Sequence, residues 1–282
     1  GSQLLYNGID SNRLRGVTLE VNVYPSQEDA RLRIADGLTL NRAGSINRYS
    51  EWIFETTASG QQRLDGTGTL AFTSASANDN NNTSRLLIEG TTTLTIGSGM
   101  TLKGGYGTIG GHLSVAGTET IINKGTIQAD TGRYLEILSS QFTNSGTISA
   151  QAGSQLYLNS PLWSSSGSIT ASGIGGAVYL NRNWNSTGTL RAENSANMYL
   201  AGSFSSAGLA MELASSGQMV LTGTLDNTGR TTTIDTTSGS FLMAGGQILG
   251  GTITGPSGSQ LLYNGIDSNR LRGVTLEVNV YP

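Results

Sequence analysis

Cysteine is absent from this chain, so neither a disulfide nor a thiolate metal site contributes to it. Histidine is nearly absent: His112 is the single one in 282 residues. A His-rich metal site is therefore excluded, and a Ser-His-Asp triad would have only His112 as its base, with no Gly-x-Ser-x-Gly elbow beside it. A turn or surface histidine is the plainer reading. Charge is sparse, at 12% of residues and a net −3, and lysine occurs only at Lys103 and Lys124. No basic field exists to draw in phosphate backbones or anionic lipid, so nucleic acid is not an expected partner. No apolar run approaches the ~18 residues of a membrane span, so no membrane insertion of this segment is expected.

What the chain has in abundance is glycine, 40 residues, among runs of Ser, Thr and Asn. These are poor helix-interior residues, and together they favour many short strands joined by turns. Gly does not recur every third residue, which excludes collagen.

A longer period is present. Gly-[Thr/Ser]-[Ile/Leu] recurs at Gly125, Gly146, Gly167 and Gly188, with related forms at Gly208, Gly229, Gly251 and Gly273, and the interval is nearly constant. Other columns keep the register. Four positions before each Gly stand Ile121, Phe142, Trp163, Trp184, Phe204 and Leu225. Two before stand Asn123, Asn144, Ser165, Ser186, Ser206 and Asn227. About eleven after come alternating triplets such as Leu156-Tyr157-Leu158, Val178-Tyr179-Leu180 and Met198-Tyr199-Leu200.

A coil of about 21 residues cannot bury its own inward side chains, but coils stacked at ~4.8 Å pair every strand with those above and below. The pattern predicts a parallel β-helix, an all-β solenoid of three short strands per rung, right-handed because parallel crossovers are. Apolar and aromatic residues then stack in the core, and Asn or Ser stack where side chains hydrogen-bond along the axis. Gly occupies corners that need a positive φ or close backbone approach. Residues 108–257 carry regular rungs, and 26–107 keep the flavour without the beat. The surplus there is expected in surface loops, with Asn47–Gly66 and the polar Ser74–Ser84 as candidates.

The stretches "FTNSGTISAQAGSQLYLN" from Phe142 and "LDNTGRTTTIDTTSGSFLMAGGQILGGTITG" from Leu225 resemble repeat units of very large secreted bacterial proteins of the filamentous-haemagglutinin and autotransporter types. The resemblance is clearest over Thr92–Val280 and weaker over Ser26–Thr91. It implies an extracellular or cell-surface, elongated, repetitive protein, often adhesive or matrix-forming.

Enzymes that degrade polysaccharides on this fold gather carboxylates across adjacent rungs, often with Ca²⁺. In the regular region Glu119, Asp130, Glu136, Glu193, Glu212, Asp226 and Asp235 share no column, so no catalytic residue, metal or cofactor is expected. "KGGYGTIGG", Lys103–Gly111, lacks the aspartates of a calcium roll and the Gly-Lys-Ser/Thr of a phosphate loop. The Asn-x-Ser/Thr triplets at Asn81, Asn82 and Asn185 are expected by chance in this composition. Strand alternation puts Tyr157, Tyr179 and Tyr199 on the outer face, one above another, as sheet-stabilising stacks or as a stripe for lateral fibre packing or sugar rings. Charged residues crowd into 1–66, including Arg13, Arg31 and Arg33 among Asp10, Glu51 and Glu55, and read as a salted surface.

Finally, "GSQLLYNGIDSNRLRGVTLEVNVYP" occurs twice, unaltered, at Gly1–Pro25 and Gly258–Pro282. So long an exact repeat predicts a unit spanning 1–257, followed at 258–282 by the first rung of an identical successor. The expected function is a non-catalytic tandem unit of an extracellular fibre, with adjacent identical units end to end as partners. An adhesin for glycans or cell surfaces is the alternative, and a polysaccharide-degrading enzyme the third reading.

Overall fold

The short alternating segments all become strands. The computed structural model describes residues 2–75, 83–112 and 114–282, and these hold 36 strands and no helix. The chain is a β-solenoid whose strands pair in parallel with their counterparts one beat away in sequence. It falls into two units, Gly1–Thr147 and Ile148–Pro282.

In the second unit the beat is kept closely. Ile169 lies opposite Leu190, and Leu190 opposite Met211, at one and the same sequence interval. One turn is made by Leu162–Ser165, Ser168–Ser172 and Ala177–Leu180, whose inward residues Trp163, Ile169, Ala171, Val178 and Leu180 are buried. Alternation drives this: successive side chains of a strand point to opposite faces, so each triplet gives the core every other residue. Thr231–Thr233, Thr252–Thr254 and Thr275–Leu276 form a separate three-stranded ladder on one side.

The first unit uses longer turns. Val23 lies opposite Gly44 at the regular interval, but Gly44 next meets Leu70, Leu70 meets Leu102, and Leu102 meets Ile127, each across a wider one. Surplus residues sit between strands, as a solenoid requires. One insertion is 55–60, between Glu51–Phe54 and Gln61–Asp65; another lies between Thr69–Thr73 and Ser84–Ile88. Of the predicted loop Ser74–Ser84, residues 76–82 lie outside the described residues.

The expectation of a loop over Asn47–Gly66 is corrected. Most of that stretch is wall: Trp52 and Phe54 are fully buried, opposite Leu32 and Ile34 on one side and Leu86 and Ile88 on the other. All four residues of Glu51–Phe54 are buried, as in a strand enclosed on both faces, and the wide interval from Trp52 to its next partner Leu86 hides the beat. Gly44 makes room for the indole, since a Cβ there would lie 2.9 Å from the Trp52 ring.

The long strand Arg31–Leu40 serves two sides of one turn. It bends at Asp36 and Gly37, with φ of 57° and 83°, so that 31–34 pair with Glu51–Phe54 and 38–39 with Gln61–Asp65. Buried Gln62 fastens the bend: its Oε1 accepts from Gly37 N at 2.7 Å and its Nε2 donates to Glu55 O at 2.8 Å.

Candidate functional site

The predicted core column is brought together within each unit. In the first, Ile121 lies opposite Phe142, and both are buried. In the second, Trp163 and Trp184 stack with ring centroids 5.1 Å apart and planes 10° from parallel, and Trp184 stacks on Phe204 at 4.1 Å. Each indole N–H donates to a backbone carbonyl 2.9 Å away, Trp163 to Asn181 and Trp184 to Ala201, so burial leaves neither donor unpaired. Leu225 follows Phe204. The column then runs on to Ile248 and Leu271, where the wider spacing hid it from the sequence pattern.

The turn ladder is also buried. Asn123 donates to Asn144 Oδ1 at 2.8 Å in the first unit, and Ser206 donates to Asn227 Oδ1 at 2.7 Å in the second. Asn227 adds a bond from Thr232 Oγ1 at 2.7 Å and donates to Thr252 O at 3.1 Å. Ser165 and Ser186 face each other in register and donate to the carbonyls of Gly167 and Gly188, two positions along their own turns.

The glycine column divides by cause. Gly208, Gly229 and Gly251 adopt positive φ of 73°, 69° and 69°. Gly125, Gly146 and Gly188 are instead places of close approach: a Cβ on Gly146 would overlap the Gly125 carbonyl, and one on Gly188 that of Gly167.

The tyrosines form the outer ladder that alternation predicts. Tyr157 and Tyr179 stack at 4.5 Å with planes 10° apart, and Tyr179 and Tyr199 at 4.5 Å with planes 1° apart. All three are half-buried, and Tyr157 donates to Gln155 Oε1 at 2.7 Å. Burial pushes the Tyr179 phenol up to about 12, and its two tyrosine neighbours push the same way. The stripe continues through Val220 and Leu242. Amides flank it: Asn181 donates to Asn159 Oδ1 at 2.7 Å, and with Pro161, Arg182 and Asn183 they line an open cleft.

The sequence did not reveal that the charged residues of the first unit form an ordered network. Glu51 is buried, taking Arg85 at 3.0 Å and Arg31 at 3.2 Å. Arg33 reaches Glu89 at 2.8 Å and Glu55 and Asp10 at 3.2 Å, while Arg13 binds Glu55 at 2.7 Å. Strand register explains it, because Arg31, Glu51 and Arg85 are successive partners across three strands. Only the pairing could have disclosed this, since irregular turn lengths separate the three in sequence. His112 sits in the turn beside the network and accepts from Ser114 N at 3.2 Å.

The acids of the regular region are tied to local partners. Glu119 accepts from Ser140 N and Oγ, Asp130 pairs with Lys103, Glu193 and Glu212 with Arg191, and Asp226 and Asp235 accept from Thr228 and Thr237. Among the described residues no group of three or more His, Asp or Glu side chains could hold a metal ion.

No family model matches the chain, and no curated protein matches it. Among solved structures, the crystal structure of a TibC-catalyzed hyper-glycosylated TibA55-350 fragment is similar, with a TM-score of 0.43 and 14% identity, covering 99% of this chain and 94% of that one.

Proposed function

We propose that this chain is a non-catalytic structural solenoid, a unit of a tandem array that builds an extracellular or cell-surface fibre. The observation that carries it is the stacking of like on like along the axis within each unit: Trp on Trp, Tyr on Tyr, Asn on Asn. Such stacks, with their parallel backbone ladders, resist extension because every rung is bonded to its neighbours. The recurrence of one identical segment at 1–25 and 258–282 supports the array. That the carboxylates are bound to arginines or to turn amides supports the non-catalytic reading, since a general acid or base needs an available carboxyl.

The test is the mass and the electron micrograph of the native assembly. Long thin filaments are expected; a discrete compact monomer with no end-to-end contacts contradicts the proposal.

The tyrosine ladder favours a second role, adhesion to glycans. Parallel rings flanked by asparagine and glutamine amides offer sugar rings both an apolar face and hydrogen-bonding groups. Replacing Tyr157, Tyr179 and Tyr199 together by Ala is expected to abolish glycan or cell-surface binding while the solenoid persists. Unchanged binding by a folded triple variant removes this role.

A further inference from the structure

The two copies of the repeated segment fold alike. Gln3, Leu4 and Leu5 lie opposite Asn22, Val23 and Tyr24, and their counterparts Gln260, Leu261 and Leu262 lie opposite Asn279, Val280 and Tyr281. The bend glycines have φ of 56° at Gly16 and 64° at Gly273. The side chain of Asn12 donates to Asn7 O and Oδ1 at 2.9 and 3.0 Å, as Asn269 does to Asn264 at 2.9 and 3.1 Å.

They differ in which edge is covered. On the first copy, Arg33 lies opposite Arg13, Ile34 opposite Leu14, Leu38 opposite Val17, and Gly44 opposite Val23. Arg33 and Arg15 form ion pairs across this joint, to Asp10 and Asp36, and Tyr6 donates to Ser45 O at 2.8 Å. Tyr6 and Val23 are thereby buried. The second copy is bonded on its opposite edge, by Phe241–Met243 and Gln247–Leu249. Its Tyr263 and Val280 are each 41% exposed and, with Leu261, Leu271 and Met243, line an apolar hollow.

We propose that this edge of the second copy is a docking surface for residues 26–54 of another copy of the same sequence. The occupant is identified because those residues cover the same surface, side chain for side chain, on the first copy. The register follows: Arg270 opposite Arg33, Leu271 opposite Ile34, Val274 opposite Leu38, and Val280 opposite Gly44, with Asp267 paired to Arg33 and Arg272 to Asp36. One segment thus serves as a rung with two bonded edges, each seen in use once. The joint rests on the tandem reading above and assigns it a residue-level interface.

The test exploits the absence of cysteine. Val280→Cys is introduced into the full chain and into a chain extended after Pro282 by a second copy of residues 26–54, and thiol labelling is timed. Val23→Cys in the full chain sets the rate of a covered site. Labelling of V280C is expected to be fast in the full chain. In the extended chain it is expected to slow on the order of 100-fold, toward the V23C rate, because reaction then waits on local opening. A scrambled extension should leave it fast. Equal labelling with and without the native extension overturns the joint. Tyr263→Cys, scored against Tyr6→Cys, repeats the test should a valine variant misfold. Protection without native filaments would leave the joint standing and sink the fibre; filaments with an unprotected Val280 would do the reverse.

Discussion

Asn227 shows how much one residue of the turn ladder holds. Fully buried, it accepts hydrogen bonds from the Ser206 and Thr232 hydroxyls and donates to the Thr252 carbonyl, joining three rungs. Asn227→Ala takes the acceptor from the Thr232 hydroxyl and leaves Ser206 only the Asp226 carbonyl at 3.4 Å, and is expected to cost about 2 kcal/mol in denaturant unfolding, the scale of an orphaned buried donor. The glycines give an ordering: Gly188→Ala drives a Cβ into the Gly167 carbonyl, whereas Gly229→Ala meets nothing within 4 Å and bears only the ~1–2 kcal/mol of a left-handed backbone. Gly188→Ala is therefore the more destabilising, and thermal melts of the two variants check it. Tyr179 sets an alkaline limit. Its phenol holds its proton to about 12 in the fold, against 10 in the unfolded chain, so its contribution is whole below pH 10 and is lost as pH rises toward 12. Absorbance titration of the tyrosines should find Tyr179 among the last to ionise, and Y179F should flatten the loss of stability above pH 10.

At the scale of strands, the charged network of the first unit is the least expected feature. Arg31, Glu51 and Arg85 occupy one register position on three strands and alternate in sign, which is what holds the buried Glu51. Glu51→Gln leaves two arginines facing a neutral amide and is expected to cost ~3 kcal/mol, as breaking a buried pair does. Chemical denaturation of E51Q beside an exposed control, Arg15→Gln, measures it. Strand register also explains what was legible beforehand. Where turns keep to the regular beat, columns such as Trp163–Trp184–Phe204 and Tyr157–Tyr179–Tyr199 could be read from spacing alone, because the backbone sets one residue above its periodic counterpart. Where a turn is longer, as from Gly44 to Leu70 or from Leu70 to Leu102, spacing no longer reports neighbours. Hence Trp52 and Phe54, placed in a loop by the broken beat, are core, and the salted surface is a network. Even there Trp52-Ile53-Phe54 is the continuous apolar run of a strand buried on both faces; the missing information was the two insertions, at 55–60 and between Thr73 and Ser84, that set Trp52 opposite Leu86.

For the molecule as a whole, scarce charge, no cysteine and abundant glycine are consequences of stacking. Backbone pairing and like-on-like columns supply cohesion, so neither cross-links nor a wide core are needed, and glycine is used where one turn must lie close on another. In the proposed array the identical segments at 1–25 and 258–282 extend that principle from rungs to units, the same residues bonding a following turn in one copy and a preceding turn in the other. The most direct measurement is cryo-electron microscopy of a chain carrying the unit 1–257 twice in tandem. One unbroken parallel β-ladder is expected across the junction, with Val280 buried opposite the second unit's counterpart of Gly44. Two solenoid bodies separated by an unpaired, flexible junction would contradict it.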